Sequence, residues 1–165
     1  YMFASAIAQA AQVVVARLMG AERIDEVDLR VKNTLAAAIT ISTLVSIVLF
    51  FFSSPLLRLF TDDEAVLALF HTIMLIEIPL EAGRAVNIVM CRILQACGDV
   101  RFPITICVIS AWLTAVGGGL LLSMFAGLGL AGLWIAMACD ECLRAALFLW
   151  RWHSRAWCRK RLLSI

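Results

Sequence analysis

Residues 33–52 read NTLAAAITISTLVSIVLFFF and contain no Asp, Glu, Lys or Arg. An α-helix of about 20 residues is long enough to cross the hydrocarbon core of a bilayer, which is about 30 Å thick. This run therefore predicts a transmembrane helix. The composition of the whole chain agrees, since 63% of its residues are hydrophobic and 16% are charged, a balance outside the usual range of soluble globular domains.

Other apolar runs predict further membrane spans and an all-α, polytopic fold class. With the first run they make about five transmembrane helices, the others at approximately residues 2–19, 64–93, 102–124 and 130–150. Pro79 lies inside the third of the five and predicts a helix kink, because proline removes a backbone hydrogen bond. The charged segment 20–32 predicts a water-facing connection, and Ser53-Ser54-Pro55 predicts the end of the second span.

Lys and Arg are concentrated at one side of the predicted helical bundle, and the opposite loops hold only Arg58. Basic residues near the ends of spans mark the cytoplasmic side of a membrane protein. We therefore expect a multi-pass protein of the cell inner (plasma) membrane, with a cytoplasmic C-terminus and a basic cytoplasmic tail at 151–165. The residues on or near the basic side are Arg17, Arg23, Arg30, Lys32, Arg92, Arg101, Arg151, Arg155, Arg159, Lys160 and Arg161.

Net charge and cysteine content limit the partners and cofactors of the chain. A formal net charge of +2 does not suggest nucleic acid, so the expected partner is membrane lipid. The six cysteines lie within or beside apolar runs, and we interpret them as free thiols. Cys139 and Cys142 form a C-x-x-C pair, but no second Cys or His pair lies nearby. We therefore predict no metal site and no cofactor.

The stretch Glu77-Ile-Pro-Leu-Glu81-Ala-Gly-Arg84 places three charges inside an apolar run. Glu77, Glu81 and Arg84 have the spacing i, i+4 and i+7, so they lie on one face of a helix. Each charge near the middle of a membrane helix costs about 2.5–3.5 kcal/mol. These side chains therefore need charged partners, water or bound cations.

Three charged residues near the middle of the last span repeat this composition. Asp140, Glu141 and Arg144 again combine two acids with one arginine, and the rise per residue places both groups at a similar depth. Since carboxylates outnumber guanidiniums, binding of a proton or another cation is favoured, and we expect Glu77 and Glu81 to be the cation-coupling residues. The pairing or tuning residues are then Arg84, Asp140, Glu141 and Arg144. A static ion-paired network that holds helices together is the alternative.

Three more residues are candidates for lining a cavity or contacting a substrate. Gln9 and Gln12 lie in the first span, where they could also hydrogen-bond between helices. Trp112 lies near the middle of its span and could stack on a flat substrate or serve as an ordinary packing residue. A membrane-embedded enzyme is disfavoured, because the chain has neither H-E-x-x-H nor G-x-S-x-G.

Four strings of sequence, in this order and spacing, carry a family resemblance. They are Val15-Ala-Arg-Leu-Met-Gly20-Ala21, Leu59-Phe60-Thr61-Asp62, Ile93-Leu-Gln-Ala-Cys-Gly98-Asp99 followed by Pro103, and Gly129-Leu-Ala-Gly132-Leu-Trp134 with Asp140 and Arg144. Together they resemble the C-terminal half of multidrug and toxic compound extrusion (MATE) transporters, over essentially the whole chain.

The resemblance implies an antiporter of two six-helix lobes that exports organic cations, drugs or flat aromatic metabolites against an inward flow of protons or sodium. The five spans resemble helices eight to twelve, so residues 1–165 would be a partial C-terminal lobe, inactive alone, and its partner would be the missing N-terminal lobe. In the family, coupling is assigned to acids of the first lobe or of the seventh and tenth helices. Only the tenth-helix position could be present here, at Glu77 and Glu81, and Arg84 lies close to where some relatives have an acid. A lipid-linked precursor flippase and a non-transporting membrane fragment are the alternatives.

Overall fold

A computed structural model describes residues 1–155 and Trp157, and five helices follow one another along this part of the chain. They are α1 Met2–Gly20, α2 Ile24–Leu57, α3 Glu64–Ala96, α4 Arg101–Ser110 and α5 Gly129–His153. Beyond α4 the helix continues in π-helical form over Ala111–Gly118 and Leu121–Phe125. The described residues contain no strand.

In the described part of the chain, four helical segments are long and apolar enough to cross a membrane. They are α1, α2, α3 and the α4 span, Arg101–Phe125, which is α4 with its π-helical continuation. α5 has 25 residues, enough for the ~30 Å core of a bilayer, but it carries Asp140, Glu141 and Arg144 near its middle. The chain is therefore an all-α, multi-pass membrane protein, as the sequence predicted.

The start of α2 differs from the sequence prediction. α2 is a single helix of 34 residues, so residues 24–32 form its first turns instead of belonging to a separate connection. Asp25 and Glu26 lie in the first turn, where the helix dipole favours acids. Val27 and Val31 are fully buried in the core, and their burial holds this charged part of the sequence against the bundle.

Two prolines lie inside helices. Pro55 falls near the C-terminal end of α2, which runs on to Leu57, so the predicted stop at Ser53-Ser54-Pro55 comes a few residues too early. A proline this close to the end of a helix removes only one of its last backbone hydrogen bonds. Pro79 lies well inside α3, and the kink expected there stays a prediction.

Ion pairing and aromatic stacking fasten one end of the bundle. Arg151 Nε lies 2.7 Å from Oδ2 of Asp99, a fully buried residue in the turn between α3 and α4. The same guanidinium lies 4.7 Å above the ring of Phe102. Beside it, the rings of Trp152 and Trp157 stack with their centroids 4.5 Å apart. The end of α5 is thereby fixed against the turn that joins α3 to α4.

Only the first part of the predicted basic tail belongs to the described residues. Arg155 contacts Asp28 near the start of α2, which brings the beginning of the tail to the same end of the bundle. The basic residues that lie outside the described part of the chain are Arg159, Lys160 and Arg161.

Two glycines allow helices to approach α5 closely. A Cβ atom at Gly132 would lie 2.8 Å from the carbonyl carbon of Leu122, in the π-helical part of the α4 span. A Cβ at Gly83 of α3 would lie 2.9 Å from Sγ and 3.2 Å from the backbone nitrogen of Cys142 on α5. At Gly132 the overlap is with backbone atoms, so only glycine fits there. At Gly83 the overlap is with a side-chain atom and the backbone nitrogen is in tight contact, so the position favours a residue without a Cβ. The second approach brings the charged faces of α3 and α5 together.

We expect Gly132→Ala to lower the free energy of unfolding by about 1–3 kcal/mol, because the new methyl group overlaps backbone atoms that cannot rotate away. The measurement is the midpoint of thermal unfolding in detergent. Gly20→Ala is the matched control, since nothing lies within 4 Å of a Cβ built at that position. Equal midpoints for the two variants would contradict the close approach of α5 to the α4 span.

Candidate functional site

The candidate site lies on the face of α3 that carries Glu77, Glu81 and Arg84. Arg84 Nη1 contacts Oε1 of Glu81 and lies 3.5 Å from Oε1 of Glu77. The spacing of three and seven residues places all three side chains on one face of the helix, as the sequence predicted. One guanidinium therefore serves two carboxylates on α3.

α5 carries a second group of the same kind. Arg144 Nη2 contacts Oδ2 of Asp140 and lies 3.4 Å from Oε1 of Glu141. Here too one guanidinium serves two carboxylates, and the contacts follow the predicted spacings of four and three residues.

Three cross-helix contacts join the two groups into one set of charged side chains, which we call the α3–α5 network. Nε of Arg84 lies 3.9 Å from Oε1 of Glu141. Trp134 of α5 donates a hydrogen bond of 2.9 Å from Nε1 to Oε2 of Glu77. Asn87 of α3 donates one of 2.6 Å from Nδ2 to Oε2 of Glu141. Glu77, Arg84 and Glu141 are thus held by partners on their own helix and on the facing one. Glu81, Asp140 and Arg144 form their ion pairs in the network with residues of their own helix.

Sequence reasoning gave no site role to Asn87 and used Trp134 only as part of a family motif, although a signal for both was present. Asn87 follows Arg84 by three residues and Trp134 precedes Glu141 by seven, so each lies on the same helix face as a charged residue. Their role became visible only with the packing of α3 against α5, since spacing along one helix does not identify a partner on another.

The network is largely removed from water. The side chain of Asp140 is 2% exposed, that of Glu81 10% and that of Arg84 17%. Four carboxylates and two guanidiniums, when all are ionised, give these six side chains a formal charge of −2. Buried charge without a counter-charge is costly, and a bound cation would reduce that cost.

A cavity of about 200 Å³ lies beside the network, between α1, α2 and α3. Glu77 and Glu81 line it, together with Ser42 and Ser46 of α2 and Met74 of α3. Carboxylate and hydroxyl oxygens are ligands for small hard cations such as sodium, and a carboxylate can equally take a proton.

The structure does not bring the other candidate residues to the network. Gln9 is exposed, and its Nε2 lies 3.4 Å from the hydroxyl of Ser5, while Gln12 is half-buried. Trp112 lies in the π-helical part of the α4 span and is 69% exposed. None of the three lines the cavity beside Glu77 and Glu81, and their contact with a substrate stays a prediction.

Comparison with known proteins adds a family match and three relatives. The MatE family model matches residues 1–121. The chain is 33% identical over 159 residues to the "Uncharacterized transporter YisQ" of Bacillus subtilis, covering 96% of this chain and 35% of that protein. It is 23% identical over 151 residues to the "Probable multidrug resistance protein NorM" of Halalkalibacterium halodurans, covering 92% of the chain and 33% of the relative.

A protein of the same name from Thermotoga maritima is 28% identical over 120 residues, which cover 73% of the chain and 26% of that relative. The chain thus spans about a third of the length of these relatives, or less. No solved structure gives a significant match.

The charge balance of the α3–α5 network can be tested by stability. We expect Arg84→Gln to lower the free energy of unfolding by about 3 kcal/mol at neutral pH, because it leaves Glu81 buried without its cation. Glu77→Gln reduces the excess negative charge and should change stability by less than about 1 kcal/mol. The measurement is unfolding in detergent, with Arg17→Gln on the exposed side of α1 as the control. A larger loss in Glu77→Gln than in Arg84→Gln would contradict an excess of negative charge.

Proposed function

The chain belongs to the MatE family, and we propose that it forms part of a cation-coupled antiporter that exports organic cations, drugs or flat aromatic metabolites. Its relatives are named as transporters and as multidrug resistance proteins, and the family is one of transporters, not of enzymes. Since the chain spans about a third of their length, the transport unit pairs this helical bundle with a second lobe.

The main support for the proposed coupling mechanism is that carboxylates outnumber guanidiniums beside a cavity. Glu77 and Glu81 line that cavity and share the single guanidinium of Arg84. One of the two carboxylates therefore lacks a full counter-charge and takes either a coupling cation, which is a proton or sodium, or the positive charge of a substrate. Because the two cations neutralise the same charge, binding of one favours release of the other, which is the thermodynamic basis of exchange.

The other residues singled out by the sequence have supporting roles in this proposal. Asp140, Glu141 and Arg144 set the electrostatic field in which Glu77 and Glu81 bind a cation. Gln9, Gln12 and Trp112 remain candidates for contact with the substrate once the second lobe completes the cavity. An indole ring such as that of Trp112 suits flat aromatic compounds, on which it can stack.

The acidic lining argues against the lipid-linked precursor flippase. The phosphate groups of such a lipid precursor are anionic, and their recognition needs Arg, Lys or helix N-termini around the ligand. The cavity described here presents two carboxylates instead. A non-transporting membrane fragment remains the alternative that the transport experiment below distinguishes.

Coupling is tested by following export of a fluorescent organic cation from vesicles that contain the protein as its gene encodes it. We expect an imposed proton or sodium gradient to drive export. Glu81→Gln should reduce that dependence at least about tenfold, the effect of losing about 1.4 kcal/mol of cation binding. Glu64→Gln, at the exposed start of the same helix, should leave it unchanged. Unaltered gradient dependence in Glu81→Gln would exclude this residue from coupling, and the absence of export in the unaltered protein would favour the non-transporting alternative.

We also propose that the protein lies in the cell inner membrane with its C-terminus in the cytoplasm, because basic residues are concentrated at that end. Single cysteines at Arg23 and Asp62 report on the two ends of the bundle, in a background where the six native cysteines are replaced by alanine or serine. In intact cells, a membrane-impermeant thiol reagent should label Asp62→Cys and should label Arg23→Cys only after the membrane is permeabilised. The reverse pattern would overturn the proposed orientation.

A further inference from the structure

The two arginines of the α3–α5 network lie at different distances from the carboxylates they pair with. Arg84 contacts Glu81 and Arg144 contacts Asp140, whereas Glu77 and Glu141 lie 3.4–3.9 Å from the nearest guanidinium nitrogens. Glu77 and Glu141 thus make the longer ion-pair contacts of the network, while one oxygen of Asp140, Oδ1, is buried without a hydrogen-bond partner among the described residues. Glu77 and Glu141 each also accept a hydrogen bond from an uncharged side chain of the facing helix.

Those two uncharged partners differ in what they can bond. The indole N–H of Trp134 can only donate, so it suits an ionised Glu77. The amide of Asn87 carries a donor and an acceptor, so it can bond Glu141 in either protonation state. Nδ2 suits a carboxylate, and Oδ1 suits a carboxylic acid O–H.

The surroundings of Asn87 favour the state in which Glu141 carries a proton. Asn87 is 6% exposed, and its Oδ1 is buried without a hydrogen-bond partner among the described residues. A buried acceptor left without a donor costs about 1–3 kcal/mol. A proton on Glu141 supplies such a donor, because the acid can accept from Nδ2 through Oε2 and donate to Oδ1 through Oε1 once Oε1 gives up its contacts with Arg84 and Arg144. Protonation of Glu141 thus gives both Nδ2 and Oδ1 of Asn87 a hydrogen-bond partner.

We propose that Glu141 is a proton-binding carboxyl group and that Asn87 is the residue that positions it. This site is additional to Glu77 and Glu81, and its part in transport rests on the function proposed above. When Glu141 takes a proton from water, the formal charge of the network changes from −2 to −1, and the attraction of Glu141 to Arg144 and Arg84 weakens. The amide of Asn87 then becomes its main link to α3, so the α3–α5 interface differs between the two protonation states.

Charged and titratable groups from three helices surround Glu141 and act in both directions. Arg84 and Arg144 bring positive charge near it, and Asp140, the preceding residue on α5, brings negative charge. Cys107 of the α4 span contacts the Arg144 side of the network, and Cys142 lies beside Glu141 on α5. The groups that face Glu141 are Arg84 from α3, Asp140, Cys142 and Arg144 from α5, and Cys107 from the α4 span.

Infrared difference spectroscopy tests the proposal, because it detects protonated carboxyl groups directly and needs no transport. The sample is the protein as its gene encodes it, in lipid vesicles, and the difference is taken between neutral and mildly acidic pH. We expect a carboxylic acid C=O band that disappears in Glu141→Gln. Asn87→Leu should move this band to higher frequency, because the acid loses its hydrogen bonds to the amide, and a residue that only fills space would not cause such a shift.

Two control variants address two other acids of the network, Glu77 and Glu81, and thermal unfolding of each variant confirms that it is folded. Trp134→Phe removes the hydrogen bond to Glu77, and Glu81→Gln changes the acid that contacts Arg84, so both should retain the band assigned to Glu141. Persistence of the band in Glu141→Gln, or an unchanged frequency in Asn87→Leu, would overturn the proposal. If the band behaves as expected but export in the unaltered protein needs no cation gradient, then the proton site stands and the proposed function fails.

Discussion

Charge inside a membrane span is expensive, and the sharing of two guanidiniums among four carboxylates is the interaction on which the centre of this bundle depends. Without it, α3 and α5 would each carry three ionised groups at a depth where every one costs several kcal/mol. The ion pairs Arg84–Glu81 and Arg144–Asp140 remove most of this cost within each helix. The contacts of Arg84, Trp134 and Asn87 across the interface then make the charged faces of the two helices partners of one another.

The packing of α3 against α5 and the electrostatics of the site therefore depend on each other. Gly83 lies between Glu81 and Arg84 in the sequence, and its missing side chain is what lets α5 approach at Cys142. A larger residue there would separate the helices and stretch the hydrogen bonds of Trp134 and Asn87. The fastening of Arg151 to Asp99 at one end of α5 holds the same helix in register. Contacts at two places, Cys142 and Arg151, thus fix the position of α5 relative to α3.

Sequence patterns predicted the helices and the charged faces because both depend on local spacing. Apolar runs of sufficient length set the spans, and the interval of seven residues from Glu77 to Arg84 set the face of α3. The length of α2 was underestimated, because residues 24–32 become helical through burial of Val27 and Val31, which is a tertiary effect. The site roles of Asn87 and Trp134 were missed for a related reason, since a neutral side chain gains its role only from a charged partner on another helix. The substrate contacts of Gln9, Gln12 and Trp112 stay predictions, because none of the three lines the cavity beside Glu77 and Glu81.

The central claim is that buried carboxylates in excess bind a cation that an organic cation can replace. The most direct measurement is the number of protons released when an organic cation binds to the purified protein in weakly buffered detergent solution, or of sodium ions when the protein is first loaded with sodium. The account predicts about one coupling cation released for each positive charge bound, and a smaller release when Glu81 is changed to Gln. Binding of the organic cation with no release of either ion would contradict it.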